Sequence, residues 1–181
     1  MKLLILCLFL ISCNSNEVKE SKKEPMENEI TSACKRLDSK KYSPQFSELV
    51  CALNKSSQNP ELKSIVLAQW ILESGRGNSK LASKFLNFGG LKWREEMKPY
   101  ASPISYEAWD GRTDYIEFKT VEKFIEGYWH FINRYPYKGW RKYKTDPVNY
   151  IRFIVKSGYC PDNGYTESVL LLEKEALELL K

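Results

Sequence analysis

The sequence predicts a mainly helical domain, of the α+β class, with one small β-hairpin. Three observations support this fold class: helical apolar spacing follows several capping residues, one segment is apolar on nearly every side, and one short aromatic-rich stretch surrounds a tight turn. With 181 residues, of which 43% are apolar and 28% charged, the chain can bury the core of a single domain.

The first predicted helices begin at two capping signals. Ser43-Pro44 supplies an N-cap and a proline at the first helical position, and apolar residues follow at helical spacing. Asn59-Pro60 repeats this signal before residues 61–74, and their apolar character on nearly every side is typical of a central helix. A short helix is expected over residues 79–86.

Residues 100–119 change in character and predict the hairpin. Aromatic and β-branched residues flank Asp110-Gly111, which is a strong signal for a two-residue turn. Because side chains alternate along a strand, Glu107 shares a face with Trp109, and Tyr106 points to the opposite face.

Three more helices are predicted after the hairpin. Thr120 caps a long helix whose apolar face extends to Tyr135. Asp146-Pro147 starts another helix that Gly158 closes, and a last helix covers residues 166–180. Together with the earlier segments they predict a helical body with one hairpin lobe.

The N-terminus predicts export and a lipid anchor. Lys2 precedes nine apolar residues, 3–11, a run too short to span a bilayer but typical of a secretion signal, which we assign to residues 1–12. Leu10-Ile11-Ser12-Cys13 resembles the lipobox of bacterial lipoproteins, in which the cysteine is acylated. Cys13 is therefore the expected lipidation site, and a plain secretory signal with an incidental cysteine is the alternative.

Residues 13–31 are expected to form the lipidated cysteine and a flexible tether. Residues 14–31 contain five Glu and three Lys with almost nothing apolar, so they cannot offset the entropy lost on ordering. The domain, residues 32–181, then holds 24 Lys and Arg against 18 Asp and Glu. This surplus is too mild to indicate nucleic acid, but it favours an anionic partner.

The cysteine and histidine content argues against a metal site. Cys34, Cys51 and Cys160 remain in the domain, and Cys34 and Cys51 are the nearest pair, although spacing alone does not choose a disulfide. The one histidine, His130, lies in an apolar helical stretch and is interpreted as structural. We therefore expect no metal and no cofactor, and nucleophilic triads are excluded unless His130 is the base.

Glu73 is the candidate for proton transfer. In helical steps it follows Gln69 and Leu62 on a face that is otherwise largely buried. Burial and the negative end of the helix dipole would both raise the pKa of its carboxyl group. A glutamate that reaches solvent in the last turn is the alternative. Gly75 and Gly77 remove side chains beside this carboxylate, which would let a bulky ligand approach.

Several separated motifs then occur in a recognisable order. They are Ala68-Gln69-Trp70-Ile71-Leu72-Glu73-Ser74-Gly75, Ser79-Lys80-Leu81-Ala82, Asn87-Phe88-Gly89-Gly90-Leu91-Lys92 and Ser157-Gly158-Tyr159-Cys160-Pro161-Asp162-Asn163-Gly164-Tyr165. In this order they resemble the bacterial glucosaminidase family that cleaves peptidoglycan, which contains flagellar and autolytic N-acetylglucosaminidases. Gly89 replaces a residue that is usually bulky, and Cys160 replaces one that is commonly small.

The resemblance implies a lysozyme-like fold with the substrate in a groove between the helical body and the hairpin lobe. It assigns Glu73 as the general acid and places a second acidic residue in the strand that enters the turn, where Glu107 stands. Asp110 and Glu117 are the alternatives for this second carboxylate. Tyr159 matches the Gly-Tyr motif and is assigned a supporting catalytic role.

Aromatic residues around the hairpin are candidates for stacking on sugar rings. With Asn87, the predicted substrate-binding residues are Trp93, Tyr100, Tyr106 and Trp109. Trp70 is interpreted as a core residue.

The predicted function is hydrolysis of the bond following N-acetylglucosamine in peptidoglycan. The enzyme is expected to be a monomeric, exported lipoprotein, anchored at the outer membrane or cell surface, that binds glycan strands and no nucleic acid. A lytic transglycosylase, a wall-binding lipoprotein without activity, and a glycosidase acting on chitin or host glycans are the alternatives. A separation of about 5 Å between the two carboxyl groups would indicate a retaining mechanism. A separation of about 6.5–9.5 Å would leave room for an attacking water and indicate an inverting mechanism.

Overall fold

The computed structural model describes residues 37–108 and 111–181. These residues belong to one compact unit, 34–181. The predicted signal peptide, Cys13, the tether and Cys34 lie outside the described residues, as do Trp109 and Asp110.

The described chain is mainly helical with one two-stranded antiparallel sheet, as predicted. Its helices and strands are α1 Pro44–Lys55, α2 Lys63–Ser74, α3 Lys80–Phe85, β1 Ala101–Ala108, β2 Gly111–Phe118, α4 Val121–Ile132, α5 Pro147–Lys156 and α6 Tyr165–Leu179. Short 3₁₀ helices cover Pro60–Leu62, Glu95–Met97 and Tyr137–Tyr143. Because Pro60–Leu62 is 3₁₀, α2 begins two residues later than the predicted helix.

Side-chain caps explain where the helices begin. The Ser43 hydroxyl accepts a hydrogen bond from the Phe46 amide, and Thr120 caps α4 in the same way. At its other end, α4 stops at Ile132, so the prediction that Tyr135 belongs to its apolar face is wrong. Tyr135 is 80% exposed. The proline that follows it disfavours helical backbone at this residue.

Helix α2 lies at the centre of the core and packs against α1, α5 and α6. Trp70 of α2 is fully buried and meets Phe124 and Tyr128 edge to face, which confirms its role in the core. Within residues 37–108 and 111–181, helices long and apolar enough to cross a membrane are absent.

The hairpin is present with a register that differs from the prediction. Ala108 pairs with Gly111, whereas a turn centred on Asp110-Gly111 would pair Trp109 with Arg112, so each β1 residue pairs two positions earlier on β2 than predicted. Ile116 and Phe118 of β2 are buried against the helical body. The alternation of side chains along β1 is unchanged by this shift.

Two cysteines of the described chain differ in state. Cys51 takes part in a disulfide bond, whereas Cys160 is a free thiol. His130 contacts the Glu96 carbonyl oxygen through Nε2 and packs beside Tyr100, which agrees with a structural role.

Candidate active site

Glu73 lies in the last turn of α2 and is partly buried. The helix ends at Gly75, whose backbone adopts the left-handed conformation with φ of +56° and whose amide donates to carbonyl groups of the last turn. The end of the core helix thus carries a carboxyl group to the edge of the core.

Burial raises the pKa of the Glu73 carboxyl group above its ordinary value, because desolvation disfavours the charged form. A hydrogen bond from Tyr165 opposes this effect in part. The net upward direction is the one predicted from the buried face of the helix. It increases the protonated fraction near neutral pH, as a proton donor requires.

Tyr165 is the site residue that sequence reasoning did not assign. Its hydroxyl donates to Glu73 Oε1 at 2.5 Å, across 92 residues of sequence. Tyr165 is the first residue of α6 and ends the last motif quoted above, so its place in that motif was the available signal.

Three glycines near Glu73 have different roles. A Cβ atom at Gly90 would lie 3.3 Å from Glu73 Oε2, so a side chain at this position would crowd the second carboxyl oxygen. A Cβ atom at Gly75 would meet no atom within 4 Å, whereas one at Gly77 would lie 2.6 Å from Phe46 Cβ. The role expected for Gly77 is therefore wrong: it allows the loop to pack on α1.

Asn87 organises the loop that carries Gly90. Its amide nitrogen donates to the carbonyl oxygens of Leu91 and Ile116 at 2.9 Å each, and its amide oxygen accepts from the Leu91 amide. Asn87 is only 1% exposed. The substrate-binding role predicted for Asn87 conflicts with this position, because a side chain closed off from solvent by its own contacts cannot reach a ligand.

Tyr159 holds the same loop from the other side. Its hydroxyl donates to the Gly89 carbonyl oxygen at 2.8 Å. Its ring lies 6.1 Å from that of Tyr137 and 6.2 Å from that of Tyr165, measured between ring centroids. Tyr159 thus contacts the loop beside Glu73, and Tyr165 is the tyrosine that contacts the carboxylate itself.

The hairpin carries its candidate carboxylates on opposite faces. Glu107 is exposed and pairs with Arg112, on the face that packs on the helical body through Ile116 and Phe118. Glu117 pairs with Ser102 on the other face and is partly buried. Asp110 lies outside the described residues.

The predicted aromatic residues that the structure describes, Trp93, Tyr100 and Tyr106, have different surroundings. The partly buried Trp93 donates to Glu95 Oε1 at 3.3 Å. Tyr106 packs edge to face on Tyr115, and the Lys80 ammonium lies 5.3 Å from its ring centre.

Tyr100 lines a cleft of about 470 Å³ that is also lined by Gln58 and Asn59. These two residues precede α2, so this cleft lies at the opposite end of that helix from Glu73. Trp109 lies outside the described residues.

Metal-binding groups are not evident in the described chain. Among residues 37–108 and 111–181 there is no cluster of three or more His, Cys, Asp or Glu side chains that could hold a metal ion.

A helical body, a hairpin lobe and a partly buried glutamic acid at the end of the central helix define a lysozyme-like domain. The profile of the glucosaminidase family, described as mannosyl-glycoprotein endo-beta-N-acetylglucosaminidase, matches residues 51–176. The chain therefore belongs to the glucosaminidase family and is a glycoside hydrolase. Among curated proteins none matches it.

The chain is similar to several solved structures, and the first of the following shares its fold. The catalytic domain of the autolysin Auto from Listeria monocytogenes is 16% identical with a TM-score of 0.59, over 84% of this chain and 93% of that chain. A type VI secretion effector–immunity complex from Pseudomonas protegens is 16% identical with a TM-score of 0.46, over 74% and 94%. A peptidoglycan hydrolase mutant from Sphingomonas sp. A1 is 18% identical with a TM-score of 0.43, over 77% and 96%.

Proposed function

We propose that this glycoside hydrolase cleaves the bond following N-acetylglucosamine in peptidoglycan, with Glu73 as the general acid. The observation that carries the proposal is the state of Glu73: burial raises its pKa, Tyr165 holds Oε1, and Oε2 faces the loop at Gly90. Glycoside cleavage needs a proton donor at the leaving oxygen, and a carboxyl group in this state can supply one.

Three further observations support a wall polymer as the substrate. The solved structure with the same fold is described as an autolysin. The domain carries a surplus of Lys and Arg, which attracts an anionic polymer at long range. The sequence also predicts export, which would bring the enzyme to the wall.

In the proposed reaction Glu73 transfers its proton to the glycosidic oxygen as the bond to the anomeric carbon breaks. The leaving sugar departs with a hydroxyl group, and positive charge develops on the ring that remains. A second carboxylate would activate water or stabilise this charge. We assign this role to Glu107, because it stands in the strand that enters the turn, on the face that carries the buried Ile116 and Phe118.

Glu73→Gln tests the assignment of the acid. The amide has similar size but cannot donate the proton, so wall lysis in a zymogram should fall by about 10²–10⁴-fold. Circular dichroism and the melting temperature should match those of the parent protein. Undiminished lysis by this variant would contradict the role of Glu73.

The products identify the reaction. Mass spectrometry of digested wall should find N-acetylglucosamine at the new reducing ends. Anhydro-muramyl ends would indicate a lytic transglycosylase instead, and absence of cleavage would leave wall binding alone. A mannosyl-glycoprotein and chitin, digested in parallel, test the other glycans, since the family is described by activity on the first of these.

Glu107→Gln and Glu117→Gln compare the two hairpin carboxylates. These are matched changes on opposite faces of one hairpin. We expect Glu107→Gln to lower kcat by about 100-fold and Glu117→Gln to change it little. The reverse result would transfer the second catalytic role to Glu117.

A further inference from the structure

Four polar side chains connect the core to Glu73 in a single line of hydrogen bonds. Tyr150 of α5 contacts Tyr128 of α4 at 2.8 Å between hydroxyl oxygens, and Tyr128 donates to Gln69 Oε1 of α2 at 2.6 Å. Gln69 Nε2 contacts the Tyr165 hydroxyl of α6 at 3.1 Å, and Tyr165 reaches Glu73. We call Tyr150, Tyr128, Gln69 and Tyr165 the tyrosine–glutamine chain.

The hydrogen bonds of the tyrosine–glutamine chain are all donated in the same direction. Tyr128 gives its only proton to Gln69 Oε1, so the contact with Tyr150 must use the proton of Tyr150. The amide nitrogen of Gln69 can only donate, so Tyr165 accepts from Gln69 and its own proton is left for Glu73. All four donors therefore point toward Glu73.

The hydroxyl groups in the tyrosine–glutamine chain remain protonated donors. Burial raises the pKa of Tyr128, Tyr150 and Tyr165 above the ordinary value, because an isolated phenolate would be poorly solvated there. Gln69 is fully buried. A buried amide requires hydrogen-bond partners, and Tyr128 and Tyr165 of the same line provide them for Gln69.

The direction decides which oxygen of Glu73 holds the proton. Oε1 accepts from Tyr165, so a proton on Oε1 would place two donors against each other. The proton is therefore favoured on Oε2, which is the oxygen beside Gly90. Donation by Glu73 toward the loop is the productive orientation for a general acid.

We propose that Gln69 is a positioning residue that sets the direction of the tyrosine–glutamine chain and thereby keeps the acidic proton of Glu73 on Oε2. This inference rests on the proposed role of Glu73 as the general acid. Without the Gln69 amide, Tyr165 can rotate and accept the proton of Glu73, so the acid would present an unprotonated oxygen to the substrate.

Gln69→Leu tests the proposal in the full chain, and Gln45→Leu, the same change at a partly buried position of α1 outside the tyrosine–glutamine chain, is the matched control. Gln69→Leu should lower kcat by about 10-fold with little change in KM, because orientation of the acid is lost while binding is kept. It should also shift the alkaline limb of the pH–rate profile upward by about half a unit or more, since protonated Glu73 gains a partner. Gln45→Leu should change neither kcat nor the pH profile appreciably.

The alkaline limb of the pH–rate profile is assigned to the titration of Glu73 after considering the ionisable groups near it. In the described chain, Tyr165 of α6 donates a hydrogen bond to Glu73, and the charge of Glu73 also acts on Tyr159 before α6 and Tyr128 of α4. Burial raises the pKa of all three hydroxyls, so they stay neutral over the range in which Glu73 titrates.

A titration of Glu73 by carboxyl ¹³C NMR separates this proposal from the proposed function, because it needs no substrate. The signal is assigned by its loss in Glu73→Gln. An upward shift in Gln69→Leu supports the proposal even if the parent protein cleaves no wall. An unchanged titration and an unchanged kcat in Gln69→Leu, or equal changes in Gln45→Leu, would overturn it while leaving the function intact.

If Gln69→Leu does not fold, Tyr128→Phe replaces it. This variant removes the donor that anchors Gln69 Oε1, so the amide can turn over and the same shift should appear with smaller size. A folded Tyr128→Phe variant with parental titration and parental kcat would overturn the proposal.

Discussion

At the scale of single residues, the access to Glu73 depends on a missing side chain. Gly90 has φ of +59° and lies beside Glu73 Oε2. Gly75 has φ of +56°, and a Cβ atom added to it would meet no atom within 4 Å. The two glycines share a left-handed backbone, but only Gly90 borders the carboxyl group. Comparing alanine variants of these two glycines therefore distinguishes the effect of backbone strain from the effect of blocking the Glu73 carboxyl group.

Gly90→Ala should lower kcat/KM by about 100-fold, because its methyl group would lie 3.3 Å from Oε2 in the path of the leaving oxygen. Gly75→Ala is the control. Both variants should lose about 1 kcal/mol of stability from left-handed alanine, measured by denaturant unfolding. Equal loss of activity in the two variants would mean that strain, rather than obstruction, is responsible.

At the scale of secondary-structure elements, Glu175 ties α6 to the loop that follows Glu73. Arg76 donates to both carboxylate oxygens of Glu175 at 2.8 Å, and Tyr42 donates to Oε1 at 2.8 Å. The Lys41 ammonium lies 3.2 Å from Oε2. One carboxylate thus joins α6 to the end of α2 and to the segment before α1.

The charge of Glu175 should stabilise the fold in a pH-dependent way. Burial alone would raise the pKa of this carboxyl group, but hydrogen bonds from Arg76, Tyr42 and Lys41 outweigh burial and lower the pKa to about 2. Because the folded-state pKa is below the unfolded value of about 4.5, the stabilisation is complete above pH 4.5. It is lost as the pH falls through about 2.

Glu175→Gln should therefore lower the free energy of unfolding at pH 7 by about 2–3 kcal/mol. The difference from the parent protein should shrink between pH 4.5 and pH 2, as measured by denaturant unfolding across this range. Glu178→Gln, at an exposed position of the same helix, is the control. A difference that stays constant with pH would contradict the contribution of the charge.

Elements were predictable where the signals are local. Ser43, Thr120 and Asp146 cap helices that begin at the next residue, because the capping bond joins groups only three residues apart. The turn was predicted one residue too late, which moves the partner of each β1 residue by two positions along β2, since pairing also depends on how β2 packs. The end of α4 was missed because apolar spacing continued beyond the last helical residue.

At the scale of the whole molecule, the predicted lipid anchor would determine where the enzyme acts. Cys13→Ala removes the expected acylation site, so the protein should leave the membrane fraction and appear in the soluble extract. Cys7→Ala changes a cysteine within the apolar run of the signal and should leave the distribution unaltered. Immunoblots of fractionated cells measure both, and membrane association that survives Cys13→Ala would exclude anchoring through this residue.

Local patterns were sufficient to find the helices, the central position of α2 and the buried face that carries Glu73. Those features follow from the spacing of neighbouring residues, which can be read directly from the sequence. The surroundings of Glu73 required the folded chain: Tyr165 meets it across 92 residues, and Gly90 approaches it from a loop that Asn87 holds. Such contacts arise from the packing of α6 and the loop against α2, and packing depends on side chains far apart in sequence, so spacing along the chain does not encode them.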